Sequence, residues 1–180
     1  RENVPPFSPE IARVRVESSI GLPVSNAFAE FTTEPLAAGS LAQVHRATHL
    51  DGHELAIKIL RPGITAEIER DISLMHEFAV LIERYIPEAQ VFDPIGLVGH
   101  FAQTIRRELN LTREARTLEE FQRLFRHDAT LTVPAVYREL SSDTVLAMDF
   151  VDGERIDDSE KLTQLGIDCS TLAANGARIF

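Results

Sequence analysis

Asp51-Gly52 stands between two runs of alternating apolar and polar residues, and this dipeptide constrains the fold more than any other feature of the chain. Asp-Gly favours the backbone of a tight hairpin turn, so residues 41–50 and 53–60 are predicted to be paired antiparallel strands. In the second run Leu55, Ile57 and Ile59 alternate with Glu54, Ala56 and Lys58. A period of two therefore sets Lys58 opposite the main apolar face. Arg61-Pro62-Gly63 closes this strand.

Outside the hairpin the apolar period changes to that of helices. Residues 10–20 read as a helix with Ile11, Val14 and Ile20 on one face, and residues 25–31 as a shorter one. Ser25 is placed to cap the second, with Phe28 and Phe31 turned to a core. Residues 64–85 form a long helix whose stripe of Ile64, Ile68, Ile72, Met75, Phe78 and Ile82 is assigned to the core. A second long helix is predicted over 95–126, with Phe101, Ile105, Leu118, Phe121 and Phe125 on its apolar side and charges at its centre. Residues 133–140 and 145–151 read as two strands around Ser141-Ser142-Asp143, and 159–180 as helix. The chain is thus α+β: helices, hairpin, two long helices, hairpin, helix.

Composition narrows the function. A net charge of -10 with no Lys/Arg block opposes nucleic acid as a partner. Cys169 is the single cysteine, which excludes an internal disulfide. No apolar run approaches the roughly 20 residues of a membrane-spanning helix. The chain starts at Arg1 and stops on Ala177-Arg178-Ile179-Phe180, so both ends read as cut. His45, His49 and His53 recur every four residues, but on a strand His45 and His49 stand about 13 Å apart, too far to share a metal ion. No metal site is assigned.

The chemistry is predicted at Lys58. Small residues in Ala37-Ala38-Gly39-Ser40 let a backbone approach a nucleotide, and an ammonium on a rigid strand suits phosphates. Taken alone, Ala56-Ile57-Lys58 is weak evidence, because alternating strands routinely place an ordinary solvated lysine at such a position. A phosphate-binding lysine also needs a carboxylate to hold it. Glu108 and Glu114 are six residues apart on the charged segment, so they do not share a helical stripe and at most one can meet Lys58 squarely. The plainer reading of Arg106, Arg107, Glu108, Arg113, Glu114, Arg116 and Glu119 is a solvated face of ion pairs.

These signals fall in one order, and that order resembles the UbiB family of atypical kinases, also called the ABC-one or ADCK family. The resemblance runs through Leu36-Ala37-Ala38-Gly39-Ser40-Leu41-Ala42-Gln43-Val44-His45, Asp51-Gly52, Ala56-Ile57-Lys58 and Arg61-Pro62-Gly63. It continues through Glu108-Leu109-Asn110, Glu114-Ala115, Pro134-Ala135-Val136-Tyr137 and Met148-Asp149-Phe150-Val151-Asp152-Gly153. It implies a protein-kinase-like N-lobe, an antiparallel sheet with β-hairpins, joined to family-specific helices and the first helix of a C-lobe. The domains would be a helical extension (1–35), the lobe with inserted helices (36–153) and the start of the C-lobe (154–180).

The resemblance also implies roles. Ala37 to Ser40 would replace a glycine-rich phosphate loop, with Val44 and Ala56 lining the nucleotide; Lys58 would contact phosphate and Glu114 would pair with it. Met148 would back the adenine pocket, and Asp149 to Val151 would be the hinge. Glu108 would open the family's E-x-D motif. The implied cofactor is ATP or ADP with Mg2+, and the implied partners are nucleotide, isoprenoid lipid and quinone-biosynthesis proteins. A cytoplasmic location, peripheral to the inner membrane through other segments, follows from the same resemblance.

Three departures qualify it. Gly39 stands where a third alanine is usual, which predicts a more mobile loop. Asn110 replaces the motif's aspartate, removing an anionic ligand, and Thr117 replaces an asparagine. The family's K-x-G-Q helix would precede Arg1, and its catalytic aspartate, metal-binding asparagine and D-F-G aspartate would follow Phe180. Little turnover is therefore expected from these 180 residues alone. Three readings stay open: an ATP-dependent kinase or ATPase, a nucleotide-sensing regulator without transfer, and a piece with no stable fold by itself.

Overall fold

The computed structural model describes residues 4–154 and 156–179; Arg1, Glu2, Asn3, Arg155 and Phe180 lie outside the described residues. The predicted hairpin forms with β3 (Ala42–His49) and β4 (Glu54–Leu60) pairing from Ala42–Leu60 to Thr48–Glu54. Gly52 takes a φ of 91° in the turn, where a side chain would be strained. On the far side of β4 lies β5 (Val145–Asp149), and β1 (Phe28–Phe31) and β2 (Ala37–Ala38) both pair with β3, all antiparallel.

Both faces of this sheet are covered. Leu55, Ile57, Ile59, Val145 and Ala147 pack with Ala12 and Val16 of α1 (Pro9–Ile20). Leu60 and Leu146 pack on the other face with Leu111 and Ala115 of α5 (Leu111–Leu124). Two buried faces explain why Ala56 and Leu60 interrupt the polar positions of β4.

Several elements differ from the sequence reading. In α1 the buried residues are Ala12 and Val16, while Ile11 and Val14 are exposed, because small side chains let the helix approach the sheet closely. The second helix, α2 (Val24–Ala27), ends early and Ser25 does not cap it. Phe28 and Phe31 belong instead to β1, where a register shift after Phe28 lets both face the core despite their odd spacing.

The helix α3 (Ile64–Tyr85) matches its predicted span, but only the first half of its stripe is covered, with Ile64 packed beside Leu60 and Leu111 and Ile68 half-buried. Ile72 and Ala79 are buried, whereas Met75, Phe78 and Ile82 are exposed. The predicted second long helix is two, α4 (Pro94–Glu108) and α5, because Asn110 leaves helical backbone and its side chain accepts from Arg113 N–H to cap α5. Residues 133–140 make no regular strand. Pro134 brings no N–H to a ladder, and what forms is a single bridge, Val136 to Met148, before a short 3-10 turn at Arg138–Leu140. The final helical stretch divides at Gly166 (φ 71°) into α6 (Ser159–Gln164) and α7 (Cys169–Ile179).

Candidate functional site

Register across the sheet gathers the predicted site residues. Residues directly opposite each other share a face, so Ala37, Val44, Lys58 and Leu146 form one row from β2 to β5. Ala56 and Met148 form the next row on the same face. The helix α5 covers part of this face, held at its start by Leu111 N–H donating to the Asp143 carbonyl at 3.0 Å. Leu111 and Ala115 point inward, which sets Glu114 at the margin of the packing.

There Glu114 meets Lys58. Lys58 Nζ lies 2.6 Å from Glu114 Oε2 and 2.9 Å from Oε1, with the side chains 26% and 36% exposed. A half-open pair of this kind contributes about 1 kcal/mol or less to stability. Its larger effect is to fix an ammonium in one orientation. Lys58 is therefore not the freely solvated strand lysine of the plainer reading. Glu108, by contrast, is exposed at the end of α4, and Asn110 is the cap of α5, a use that needs no negative charge.

The loop of small residues is tighter than its glycine suggested. Gly39 N–H donates to the Ala42 carbonyl at 2.8 Å, and Gly39 avoids the left-handed region. A Cβ added there would meet only the Ala42 carbonyl oxygen, at an ordinary 3.7 Å. The expected extra mobility therefore has no support in the local geometry. Ser40 is exposed at the turn.

At the β5 end of the sheet the segment predicted as the hinge is clasped. Asp149 N–H donates to the Ala135 carbonyl at 2.9 Å, while its carboxylate accepts from Ala135 N–H at 2.8 Å and from the Tyr137 hydroxyl at 3.2 Å. The Asp149 side chain thus points away from Lys58, toward an open cleft of about 680 Å3 that His53, Tyr137 and Val151 also line. Burial first, and then the Asp149 carboxylate, push the Tyr137 phenol up from its ordinary pKa. The sequence reading missed this side-chain role, although Ala135 and Tyr137 were part of the recognised pattern.

A second missed pair is Gln43 and His45, the two fully buried polar residues among those described. His45 Nδ1 lies 3.0 Å from the Thr32 carbonyl and Nε2 lies 3.2 Å from Gln43 Nε2. A carbonyl can only accept, so Nδ1 carries the proton and Nε2 accepts from the amide. Burial holds the imidazole pKa below its usual value, against the opposing pull of Thr32. Among the described residues no group of three His, Cys, Asp or Glu is arranged to hold a metal ion.

The family model for the ABC1 atypical kinase-like domain matches residues 1–180. The chain belongs to that family. Among its curated relatives, a probable protein kinase UbiB of Marinobacter nauticus is 38% identical over 180 residues, and one of Xanthomonas campestris pv. campestris is 40% identical over 185. Each comparison covers all of this chain but 33% of the relative, so the chain spans about a third of their length. The structure of a Mycobacterium tuberculosis protein, Rv3197 in complex with erythromycin, superposes with a TM-score of 0.73 at 23% identity, covering 86% of this chain and 38% of that one. The antiparallel sheet with α5 against it is the small lobe of a kinase-like fold in this ABC1 domain.

Proposed function

We propose that this region holds the nucleotide of a UbiB-like atypical kinase or ATPase. The observation that carries the reading is the Lys58–Glu114 pair, set on the same sheet face as Ala37, Val44, Ala56 and Met148. Small or slender apolar side chains beside an oriented ammonium fit a flat base followed by phosphates. Lys58 would neutralise phosphate charge, and Glu114 would keep it aimed. Val44, Ala56 and Met148 would flank the base, whose edge would pair with the Asp149 carbonyl and the Val151 amide. Ala37 to Ser40 would close over the phosphates.

A bound nucleotide with Mg2+ would supply the transferable phosphoryl group. These residues would hold the base and phosphates; among the described residues no group of three His, Cys, Asp or Glu is arranged for the metal, whose ligands would come from another part of the protein. The UbiB name of the relatives implies a role in ubiquinone or related isoprenoid-lipid biosynthesis, and isoprenoid lipid and quinone-biosynthesis proteins would be partners under the same proposal. A cytoplasmic site of action at the inner-membrane surface belongs to the same proposal. No helix among the described residues is long and apolar enough to cross a membrane.

The test is thermal denaturation of the whole protein with Mg-ATP. A ligand at 100 times its Kd stabilises by about 2.7 kcal/mol, so the wild type should melt several degrees higher, and Lys58→Ala should lose most of that gain. Equal shifts in both proteins would sink the reading.

A further inference from the structure

Arg61, the residue after β4, reaches back under the turn between β2 and β3. Its backbone N–H donates to the Leu41 carbonyl at 2.8 Å and its Nε donates to the Gly39 carbonyl at 2.9 Å. One residue thus holds both ends of the Gly39-Ser40-Leu41 turn. The same guanidinium serves the N-terminal segment: Nη2 donates to the Pro5 carbonyl at 2.9 Å, and its carbon lies 5.8 Å from the centre of the Phe7 ring.

Phe7 is anchored in turn. Its N–H donates to Gln43 Oε1, its carbonyl lies 3.5 Å from Gln43 Nε2, and its ring packs against the core on the α1 side of the sheet. Gln43 is fully buried, and a buried amide requires partners. Residue 7 supplies two of them. Segment 5–7, Arg61 and the small-residue turn therefore form one connected unit, on the side of the sheet away from Lys58.

We infer that Arg61 is a positioning residue for the phosphate loop, and that residues 5–7 act on the loop through it. The inference rests on the nucleotide reading above. A Gly39 carbonyl free to rotate toward bound phosphates would repel them; bonded to Arg61 it is turned to a cation instead. The guanidinium also adds positive charge behind the loop and leaves the front clear for the ligand. The fixed fork of arginine is what reaches both carbonyls, so lysine is a poor substitute.

Binding of ADP and of adenosine to the whole protein tests this, with Lys58→Ala as the control for the site. Arg61→Gln should weaken ADP roughly tenfold while leaving adenosine within about twofold, because only the phosphates meet the loop. Arg61→Lys should fall between. Phe7→Ala should act in the same direction as Arg61→Gln, and the double variant should be no worse than Arg61→Gln alone. Equal losses for ADP and adenosine, or an unchanged ADP affinity beside a damaging Lys58→Ala, would overturn the inference and leave the nucleotide reading standing. Failure of the wild type to bind ADP would overturn that reading. Hydrogen exchange at residues 39–42 without nucleotide then decides the tether: it should quicken in Arg61→Gln, and unchanged exchange would refute it.

Discussion

The sheet and the α3–α4 hairpin carry equally clear apolar patterns and bury them very differently. Ile57 in β4 is 0% exposed, enclosed between strands and α1. Phe78, in the middle of the predicted stripe of α3, is 64% exposed, and Phe101 on α4 is 47% exposed. The seam between the two helices is narrow, with Ile72, Ala79, Val98 and Ala102 as their buried residues. Periodicity identifies an apolar face but not what lies against it. For the strands the partner is supplied locally by the hairpin turn; for α3 the neighbouring helix covers only one edge of the stripe.

The contrast can be broken by substitution, and its largest effect belongs to the sheet. Ile57→Ala should cost about 3 kcal/mol in urea unfolding of the 180-residue chain. A loss below about 1 kcal/mol would show the sheet core to be as loosely packed as the hairpin. At the junction of the two regions, Asn110→Ala should cost about 1 kcal/mol by uncapping α5, whereas Asn110→Asp should hold or slightly raise stability. If Asn110→Asp were as damaging as Asn110→Ala, capping would not be the role of that side chain.

The sheet should also respond to pH through His45. Its folded pKa is lowered below about 6.5 by burial, so the unfolded chain takes up a proton first as the pH falls. Stability is fully present above about pH 6.5 and is lost as pH drops from there toward the lower folded value. Protonation would set an N–H against the Gln43 amide, and that amide cannot turn over without losing Phe7 N–H. A melting temperature unchanged between pH 7 and pH 5 would refute this. The smallest effect is expected on the hairpin, where Phe78→Ala should change stability by no more than about 0.5 kcal/mol. A cost near that of Ile57→Ala would erase the contrast.

Local chemistry made part of this molecule legible from its residues. Asp51-Gly52 and strict alternation place β3 and β4, and Gly63 before an apolar period of 3.6 places α3. The order of motifs around Lys58 identifies the family. Those features depend on backbone preference and on neighbours a few residues away, so they are written along the chain. The break at Asn110 was hidden because Leu109 and Leu111 continue the apolar rhythm through it. Asn110, a favoured capping residue, was the available signal.

What tertiary structure alone decided is contact across distance. Which of Glu108 and Glu114 meets Lys58 depends on how α5 docks after that break, 56 residues from the lysine in sequence. That Ala12 and Val16, rather than Ile11 and Val14, face the sheet depends on how closely α1 can approach it. The hold of Arg61 on Gly39 and Pro5 joins segments that no periodicity relates. Residue type and spacing determined the elements and the family; the pairing of side chains was decided by packing, because hydrogen bonds and ion pairs form between whatever surfaces the folded core brings together.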